Sequence, residues 1–219
     1  MDIYKKYFPD IQASQLEQLE AFRRLFKEWN EKVNLISRKD IDNLDERHIL
    51  HSLSIAYKYG FLRNKTFVDV GTGGGFPGIP LAIFMPMNKF HLIDSIGKKI
   101  LVVDQIIKEL GLTNITCENT RSENLKRSFD YVICRAVSDF DTFVHQTKNL
   151  LKIPVNGSKK TGVIYLKGGD LTEELKRYEK EVEIIEISSF FAEPFYETKK
   201  IIFLSTNSKI MKKIVQAKL

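Results

Sequence analysis

The sequence of 219 residues is poor in cysteine and histidine, and it has no long uninterrupted apolar run. Its two cysteines, Cys117 and Cys134, form no Cys-x-x-Cys pair, so we expect neither a disulfide framework nor a cysteine-bound zinc ion. His48 and His51 lie outside any His-Glu-x-x-His pattern, and no metal site is expected. No apolar run reaches the length of about 18 residues that marks a membrane helix, and residues 1–6 show no charged-then-apolar leader. We therefore expect a cytoplasmic protein in a reducing environment, without membrane association. We also expect a monomer.

The formal net charge is +6, and the excess is confined to one end of the chain. Residues 199–219 contain six lysines and no acidic residue, so the rest of the sequence is balanced between basic and acidic groups. A lysine-rich segment of this kind is typical either of a contact with the phosphates of a nucleic acid or of a solvated chain end. The composition leaves both open. We treat residues 207–219 as a basic C-terminal tail.

The first part of the chain is predicted to be helical. Apolar residues recur at spacings of three and four across residues 16–33, which is the pattern of an amphipathic helix that packs on a core. Ser14 and Glu17 have the spacing of a capping box at the start of this helix. Residues 40–59 have the pattern of further short helices, and nothing in this part alternates like a strand. The sequence therefore predicts an N-terminal helical extension over residues 1–64.

Strands and helices alternate in the second part of the chain. We predict strands over residues 66–70, 89–94, 115–118, 129–135 and 161–166, and helices over residues 77–84, 98–110, 141–151 and 172–182. Such alternation predicts an α/β fold with a mostly parallel, doubly wound sheet. Two further strands, 183–188 and 199–205, are joined by a loop too short for a helical crossover, so they should pair antiparallel. We assign this domain to residues 65–206.

The stretch FVDVGTGGGFPGIPLA, residues 67–82, contains five glycines behind an apolar run. A strand, then Gly71, Gly73 and Gly75, then a helix predict a ligand that lies close against the backbone. In a doubly wound sheet this turn lies outside the carboxyl ends of the strands, where ligands bind. The free N–H groups at the start of the following helix would favour an anionic or carboxylate-bearing ligand.

Asp94 ends the strand after the glycine turn and is the second element of this predicted site. A carboxylate there can accept hydrogen bonds from both ribose hydroxyls of an adenosine-containing ligand. The glycines fit the pattern Gly-x-Gly-x-x-Gly when it starts at Gly73, whereas a start at Gly71 runs into Phe76. Neither feature separates a nicotinamide dinucleotide from S-adenosylmethionine. An Asp94 that only caps the next helix is the simpler structural alternative.

These and other residues resemble the RsmG (GidB) family of ribosomal RNA methyltransferases. Residues 69–81 are similar to its signature loop, in which alanine or proline is more usual than the glycine at position 74. Further similar stretches follow in the family's order: Trp29-Asn30, residues 33–36, His48 with residues 51–53, Asp94-Ser95 with Lys98-Lys99, residues 135–137 and Lys167-Gly168. The resemblance covers residues 29–168.

The resemblance implies a Rossmann-like class I methyltransferase, with S-adenosylmethionine as cofactor, that methylates N7 of a guanine in 16S ribosomal RNA. It implies this RNA or the small ribosomal subunit as partner. Together with the glycine turn, its motifs indicate these cofactor-binding residues: Gly71, Gly73, Gly75, Phe76, Asp94, Ser122, Glu123 and Arg135. Arg135 ends a predicted strand and Lys167 directly follows one, so both are also candidates for positioning the substrate. Guanine N7 carries a lone pair and no proton, so no general base is expected, and no catalytic residue is assigned.

Two other functions remain compatible with the glycine turn: an NAD(P)-dependent oxidoreductase, and an adenosine-ligand sensor that binds RNA. Phe76 interrupts the dinucleotide pattern that starts at Gly71, and the predicted antiparallel strand pair is similar to the end of a methyltransferase sheet. Both features favour the methyltransferase over the oxidoreductase. The sequence alone does not separate an enzyme from a sensor.

Overall fold

The computed structural model describes residues 2–37, 39–135, 138–152 and 161–216. Its strands are β1 (Thr66–Val70), β2 (Lys89–Asp94), β3 (Ile115–Asn119), β4 (Tyr131–Arg135), β5 (Gly162–Gly168), β6 (Val182–Glu186) and β7 (Lys199–Ser205). They form one sheet in the order β3-β2-β1-β4-β5-β7-β6. Neighbours among β1 to β5 pair in parallel, and β7 pairs antiparallel with both β5 and β6. The structure confirms the predicted α/β fold, a mostly parallel sheet with an antiparallel pair after it.

The helices lie on both faces of this sheet. The α-helices among the described residues are α1 (Asp2–Tyr7), α2 (Ala13–Lys32), α3 (His51–Tyr59), α4 (Gly78–Phe84), α5 (Gly97–Glu109), α6 (Phe140–Thr147), α7 (Thr172–Leu175) and α8 (Lys209–Gln216). A π-helical segment, Leu44–Leu50, leads directly into α3. Single 3-10 turns cover Ile41–Asn43, Ser122–Asn124, Lys148–Leu150, Lys176–Tyr178, Ile187–Ser189 and Pro194–Tyr196. None of the described helices is long and apolar enough to cross a membrane.

The strand boundaries agree closely with the prediction because most strands are buried apolar runs. β1, β2 and β7 have the predicted bounds. The predicted end of β5 is residue 166, whereas the strand continues to Gly168. The added residues Lys167 and Gly168 pair with Lys200 and Lys199 of β7. This pairing extends the strand beyond its apolar run.

α2 confirms the predicted amphipathic helix but not its predicted start. Ser14 already lies inside the first turn. The N–H of Gln12 donates to Gln15 Oε1 at 3.1 Å. The expected capping box of Ser14 and Glu17 is wrong because the helix begins before Ser14. The apolar face is buried at Leu16, Leu19, Phe22, Leu25 and Phe26.

The predicted helices over residues 141–151 and 172–182 are shorter in the structure. α6 ends at Thr147 and α7 ends after four residues, and each passes into a 3-10 turn. The second of these turns buries Tyr178, whose hydroxyl donates to Asp141 Oδ1 at 2.6 Å. This bond ties α6 to the segment that follows α7.

Two hydrophobic clusters cover the two faces of the sheet. The first joins α2, α3, α4 and α5 to sheet residues such as Phe67 and Ile133. The second joins α6 and α8 to the opposite face through residues such as Val68 and Val132. The helical extension thus shares a core with the sheet, and its separation at residue 64 remains a proposal.

Part of the predicted basic tail is folded. α8 buries Met211 and Ile214 against the second cluster and exposes Lys212 and Lys213. Because β7 runs antiparallel to β5, α8 begins near the amino-terminal ends of the parallel strands. This is the end of the sheet opposite the glycine turn. Residues 217–219 of the predicted tail lie outside the described residues.

Candidate functional site

The glycine turn connects β1 to α4 and is bonded to the carboxyl end of β2. Gly71, Gly73 and Gly75 have φ angles of 69°, 57° and 95°, in the left-handed region that favours glycine. At Gly73 the backbone N–H donates to Asp94, with an N···Oδ2 distance of 2.9 Å. The N–H of Gly71 donates to Ile93 O, also at 2.9 Å. The turn and the next strand therefore form one structural unit.

The first turn of α4 differs from the expected anion site. The N–H of Gly78 donates to Asp69 Oδ2 at 2.9 Å. The N–H groups of Ile79 and Leu81 donate to backbone carbonyls, and Pro80 has none. Each N–H of this described turn is therefore paired, and the prediction that the helix start favours an anionic ligand is wrong. A carboxylate of the chain itself occupies that position.

Asp69 is a buried acid beneath the glycine turn. Its Oδ2 also accepts the hydroxyl of Thr72 at 2.7 Å, whereas its Oδ1 has no hydrogen-bond partner among the described residues. Burial raises the pKa of this carboxyl to about 7, against the lowering effect of the bonds from Thr72 and Gly78. Asp69 therefore ties β1 to the start of α4 from inside the core.

Asp94 ends β2, and both of its carboxylate oxygens are held by the backbone. Oδ2 accepts the N–H of Gly73 and Oδ1 accepts the N–H of Ile96, each at 2.9 Å. A carboxylate oxygen has two lone pairs, so each oxygen can accept one more hydrogen bond. The two neighbouring hydroxyls of a ribose match this remaining capacity.

A cavity of about 370 Å³ opens beside Asp94 at the carboxyl ends of the parallel strands. We call it the Asp94 crevice. It is lined by Val70, Gly71, Ile93, Asp94, Ser95, Thr120, Arg121, Ser122, Glu123, Arg135 and Gln146. Its volume lies in the range of small-molecule sites. The structure thus brings five of the predicted cofactor residues together: Gly71, Asp94, Ser122, Glu123 and Arg135.

One part of the crevice lining is the 3-10 turn that follows β3. Ser122 is buried and donates its hydroxyl to Glu123 Oε2 at 2.9 Å. A bond from its own backbone N–H, together with this hydroxyl, lowers the pKa of Glu123. The side chain is therefore ionised at neutral pH. The lining contains a second carboxylate beside that of Asp94.

Arg135 ends β4 and joins the crevice to the π-helical segment that precedes α3. Its guanidinium lies over the ring of Phe76, 5.0 Å from the ring centroid. Nη2 donates to His48 Nδ1 at 2.9 Å, and Nη1 donates to Arg47 O at 3.3 Å. Burial lowers the pKa of Arg135 to about 10. The side chain therefore stays charged at neutral pH.

Proteins with similar sequences identify the family of this chain. The family described as "GidB: rRNA small subunit methyltransferase G" matches residues 15–206. The chain belongs to this family. A relative named Ribosomal RNA small subunit methyltransferase G, from Christiangramia forsetii, is 47% identical over 209 residues, which are 95% of this chain and 99% of the relative. A protein of the same name from Flavobacterium psychrophilum is 47% identical over 210 residues, which are 96% of this chain and 100% of that protein.

A solved structure shares the fold. A SAM-dependent methyltransferase from Aquifex aeolicus superposes with a TM-score of 0.54 at 16% identity, over 78% of this chain and 98% of that one. At this identity the likeness shows the fold alone. The fold is the Rossmann-like class I methyltransferase fold that the sequence predicts. Membership of the methyltransferase G family decides against the oxidoreductase alternative.

Three of the predicted cofactor residues lie outside the described lining of the crevice. Gly73 adjoins it through the bond to Asp94. Gly75 lies behind the turn, where an added Cβ would collide with the side chain of Ile79. Phe76 is only 2% exposed and packs against the aromatic residues of α2. The ring of Phe76 therefore packs against the guanidinium of Arg135. A direct contact of Gly73, Gly75 or Phe76 with the cofactor remains a proposal.

Lys167 also lies outside the described lining of the Asp94 crevice. Its ammonium pairs with Glu174 at 2.6 Å and donates to Ser138 O at 3.1 Å. The side chain is thus engaged with α7 and with the loop before α6. A role of Lys167 in positioning the substrate remains a proposal, with less support than that of Arg135.

Sequence reasoning missed several residues of the crevice. Ser95, Thr120 and Arg121 directly follow β2 and β3, so the strand-end rule that indicates Asp94 could have found them. Gln146 comes from α6 and has no signal in the sequence. The bond from Arg135 to His48 has none either, because the two residues lie 87 positions apart.

Proposed function

We propose that this protein methylates N7 of a guanine in 16S ribosomal RNA and binds the methyl donor, S-adenosylmethionine, in the Asp94 crevice. Membership of the rRNA small subunit methyltransferase G family supports methyl transfer as the reaction and small-subunit ribosomal RNA as the substrate. The observation that supports the donor site is the pair of backbone bonds that hold the Asp94 carboxylate beside the crevice.

The residues of the Asp94 crevice fit S-adenosylmethionine. Asp94 can accept the two ribose hydroxyls, because each oxygen retains a lone pair beyond its backbone bond. Gly71 presents bare backbone, and an added Cβ at Gly73 would meet no atom within 4 Å, so the turn leaves open space. Ser122 and Glu123 add polar groups to the lining. When bound, the cofactor supplies an electrophilic methyl group carried by a sulfonium.

Attack by guanine N7 needs no general base, since that nitrogen has an in-plane lone pair and no proton. The described lining of the crevice contains no histidine or lysine. His48, which is bonded to that lining, stays neutral because burial and the charge of Arg135 lower its pKa to about 3. The protein therefore contributes by aligning the base, an effect of up to roughly 7–11 kcal/mol in favourable intramolecular models.

Arg135 is the proposed contact for the guanine. A guanidinium has five N–H donors in a fixed fork, and the bonds to Arg47 and His48 use two of them. Its other donors can bind guanine O6, which lies beside N7 on the same edge of the base. Such a bond fixes the base and leaves the N7 lone pair free for the methyl group.

The proposed domain division follows the sequence: a helical extension over 1–64, the methyltransferase domain over 65–206 and a basic tail over 207–219. The tail includes α8, whose lysines lie at the end of the sheet opposite the Asp94 crevice. A contact of these lysines with RNA would therefore be remote from the guanine. We propose the small ribosomal subunit or its RNA as the partner of a monomeric, cytoplasmic enzyme.

Mass mapping of ribosomal RNA nucleosides tests the function. Small subunits from cells that lack the protein are incubated with the purified protein and labelled S-adenosylmethionine. We expect label in 7-methylguanosine of the 16S RNA. Label on another atom would overturn the N7 assignment, and no transfer in subunits or in free RNA would favour the sensor.

A substitution at Asp94 tests the donor site. Asp94→Ala should abolish transfer and lower the affinity for S-adenosylhomocysteine, measured by calorimetry, by roughly 100-fold, because two hydrogen bonds to a charged group are lost. Asp104→Ala is the control: it removes an acid that is paired with Lys108 on the surface of α5, and both properties should be retained. Calorimetry that detects NAD binding but none of the homocysteine product would contradict the site.

A further inference from the structure

The helical extension is bonded to the Asp94 crevice through Arg135. His48 belongs to the π-helical segment Leu44–Leu50 and is 9% exposed. Its Nδ1 accepts a hydrogen bond from Arg135 Nη2 at 2.9 Å. The preceding residue, Arg47, accepts a second bond from Arg135 through its carbonyl oxygen at 3.3 Å. Two consecutive residues of the helical extension thus hold a guanidinium that lies 87 positions further along the chain.

The chemistry of the pair fixes the protonation of the imidazole. A guanidinium only donates, so His48 Nδ1 must carry a lone pair and Nε2 must carry the proton. Burial and the positive charge of Arg135 lower the pKa of His48 to about 3, and Arg47 acts in the same direction. The Asp40 carboxylate opposes them without restoring the proton. The ring is therefore a neutral acceptor at physiological pH.

Two contacts restrain different motions of Arg135. The Arg135 Cζ lies 5.0 Å from the centroid of the Phe76 ring, and this contact holds the guanidinium over the ring. A contact between a cation and a ring does not set the direction of the individual N–H groups. The directional bond to His48 does so, since it sets where Nη2 points and hence where the other N–H groups point.

We propose that His48 is a positioning residue for methyl transfer: its Nδ1 lone pair sets the rotation of the Arg135 guanidinium against the guanine. The inference rests on the proposed function, in which Arg135 contacts the base. His48 touches neither the base nor the methyl donor and acts through Arg135. Its loss changes the orientation of the bound guanine more than the affinity for the RNA.

The test compares two substitutions of similar size. Asparagine at position 48 places an acceptor, Oδ1, close to the position of Nδ1, whereas leucine has no acceptor. We expect His48→Leu to lower kcat for rRNA methylation roughly ten- to a hundred-fold, the range for a lost hydrogen bond to a charged group. KM for the RNA should change little. His48→Asn should recover most of the loss in kcat, and equal losses in the two variants would overturn the proposal.

A double-mutant cycle separates positioning from structural damage. In an Arg135→Ala background, His48→Leu should cause no further fall in kcat, because the residue through which it acts is gone. His91→Leu is the matched control, since His91 is also buried and hydrogen-bonded, to Thr116 Oγ1 at 2.8 Å, and lies outside the described lining of the crevice. It should lower stability and leave kcat unchanged at a temperature where the variant is folded. Additive effects of His48→Leu and Arg135→Ala would overturn the proposal.

A measurement on the cofactor-free protein, in which no methyl transfer takes place, tests this inference separately from the proposed function. The nitrogen-15 spectrum of the cofactor-free protein should show His48 with Nδ1 unprotonated and Nε2 protonated at neutral pH. Arg135→Ala should shift these signals and leave those of the exposed His145 unchanged. If the wild-type protein transfers no methyl group, the proposed function is overturned and this inference with it. A proton on His48 Nδ1, in a protein that does transfer methyl groups, overturns this inference alone.

Discussion

At the scale of single residues, Gly73 and Asp94 form the smallest unit of the candidate site. The bond from Gly73 N–H to Asp94 Oδ2 links the glycine turn to the end of β2. It exists because Gly73 adopts a φ of 57°, in the region where a side chain introduces strain. Nothing described lies within 4 Å of the position that a Cβ would take at Gly73. A substitution there acts through the backbone and not through a collision.

Gly73→Ala and Gly111→Ala form a matched pair of variants. Both glycines have positive φ, 57° and 63°, and an added Cβ would meet no atom within 4 Å at either position. Each substitution should cost about 1–2 kcal/mol of unfolding free energy in urea denaturation, the strain of a left-handed residue. Only Gly73→Ala should also weaken the binding of S-adenosylhomocysteine in calorimetry, because of these two glycines only Gly73 donates a hydrogen bond to Asp94. Equal binding by both variants would remove Gly73 from the donor site.

The residues that the sequence located well are those at strand ends. Asp94 and Arg135 end buried apolar runs, and parallel strands end together at one edge, so their shared location was predictable. Phe76 and Lys167 were placed less well because their partners come from other segments. The α2 helix covers Phe76, and Glu174 takes the ammonium of Lys167. Neither partner has a spacing in the sequence that indicates the contact.

At the scale of elements, close packing of α4 on β2 positions the glycine turn. A Cβ added to Gly78 would lie 2.6 Å from Leu92 Cδ1 and 2.8 Å from Asp69 Oδ2. Helix and strand therefore meet without a side chain between them. The bond from Gly78 N–H to Asp69 fixes the start of the helix at this contact.

Gly78→Ala should destabilise the protein although alanine is the better helix former. Gly78 is the first residue of α4, so the preference of about 1 kcal/mol for alanine in a helix interior applies there only in part. Overpacking should give a net loss of about 1–3 kcal/mol in urea denaturation. Combined with Leu92→Val, which makes room, the two losses should be less than additive. A stabilised Gly78→Ala protein would show that α4 can move away from β2, contrary to this packing.

Element types were more predictable than element starts. β1, β2 and β7 are short apolar or β-branched runs, and their bounds follow from composition alone. The start of α2 depends on the side chain of Gln15, and the start of α4 depends on the carboxylate of Asp69. The sequence predicted a capping box at Ser14 in place of the bond to Gln15. It also gave no sign that Asp69 pairs with an N–H group at the start of α4. Competition between nearby polar side chains is decided by the fold, not by spacing.

At the scale of the whole molecule, the lysines of α8 and the Asp94 crevice lie at opposite ends of the sheet, whereas Lys199 and Lys200 begin β7 at the crevice end. Replacement of Lys209, Lys212 and Lys213 by glutamine removes charge and keeps the buried Met211 and Ile214 of α8. Stability should change by less than about 0.5 kcal/mol. If the tail contacts RNA, the salt dependence of binding should weaken by a slope of about 0.7–0.9 for each contacting lysine.

A truncation of α8 is a less specific test than this charge variant. Truncation should lower both stability and RNA binding, because it removes Met211 and Ile214 from the second hydrophobic cluster. It therefore cannot separate a lost contact from a damaged fold. RNA titrations of the charge variant at several salt concentrations can separate a lost RNA contact from a damaged fold. A slope equal to that of the wild-type protein would show that these lysines make no RNA contact.

His48 and His51, two of the three buried histidines, should make the folded protein sensitive to acid. Burial is the main cause that lowers the pKa of His48 to about 3 and that also lowers the pKa of His51. Below a pH of about 6.5 the unfolded chain binds protons there that the folded chain does not. The unfolding free energy should therefore fall as the pH drops from about 6.5 towards 3, by about 1.4 kcal/mol per pH unit for each histidine.

Urea denaturation of the wild-type protein and of His48→Asn, at several pH values between about 4 and 7, checks this prediction. The variant lacks one titrating group, so its stability should fall less steeply on acidification. Asp69 acts in the opposite sense: burial raises its pKa to about 7, so the folded state binds a proton that the unfolded state has lost, and its contribution falls as the pH rises. This contribution is common to both proteins and cancels in their difference. Parallel curves would contradict the neutral, buried state of His48.

β7 lies between β5 and β6 although it follows both in the chain. While a ribosome synthesises the protein, the nascent residues Val182–Glu186 have no strand to pair with until Lys199–Ser205 have emerged from the exit tunnel. Until then β5 presents an open edge, since one of its two neighbours in the finished sheet is missing. A protein whose family modifies ribosomal RNA thus completes its own sheet only after most of its chain has left a ribosome.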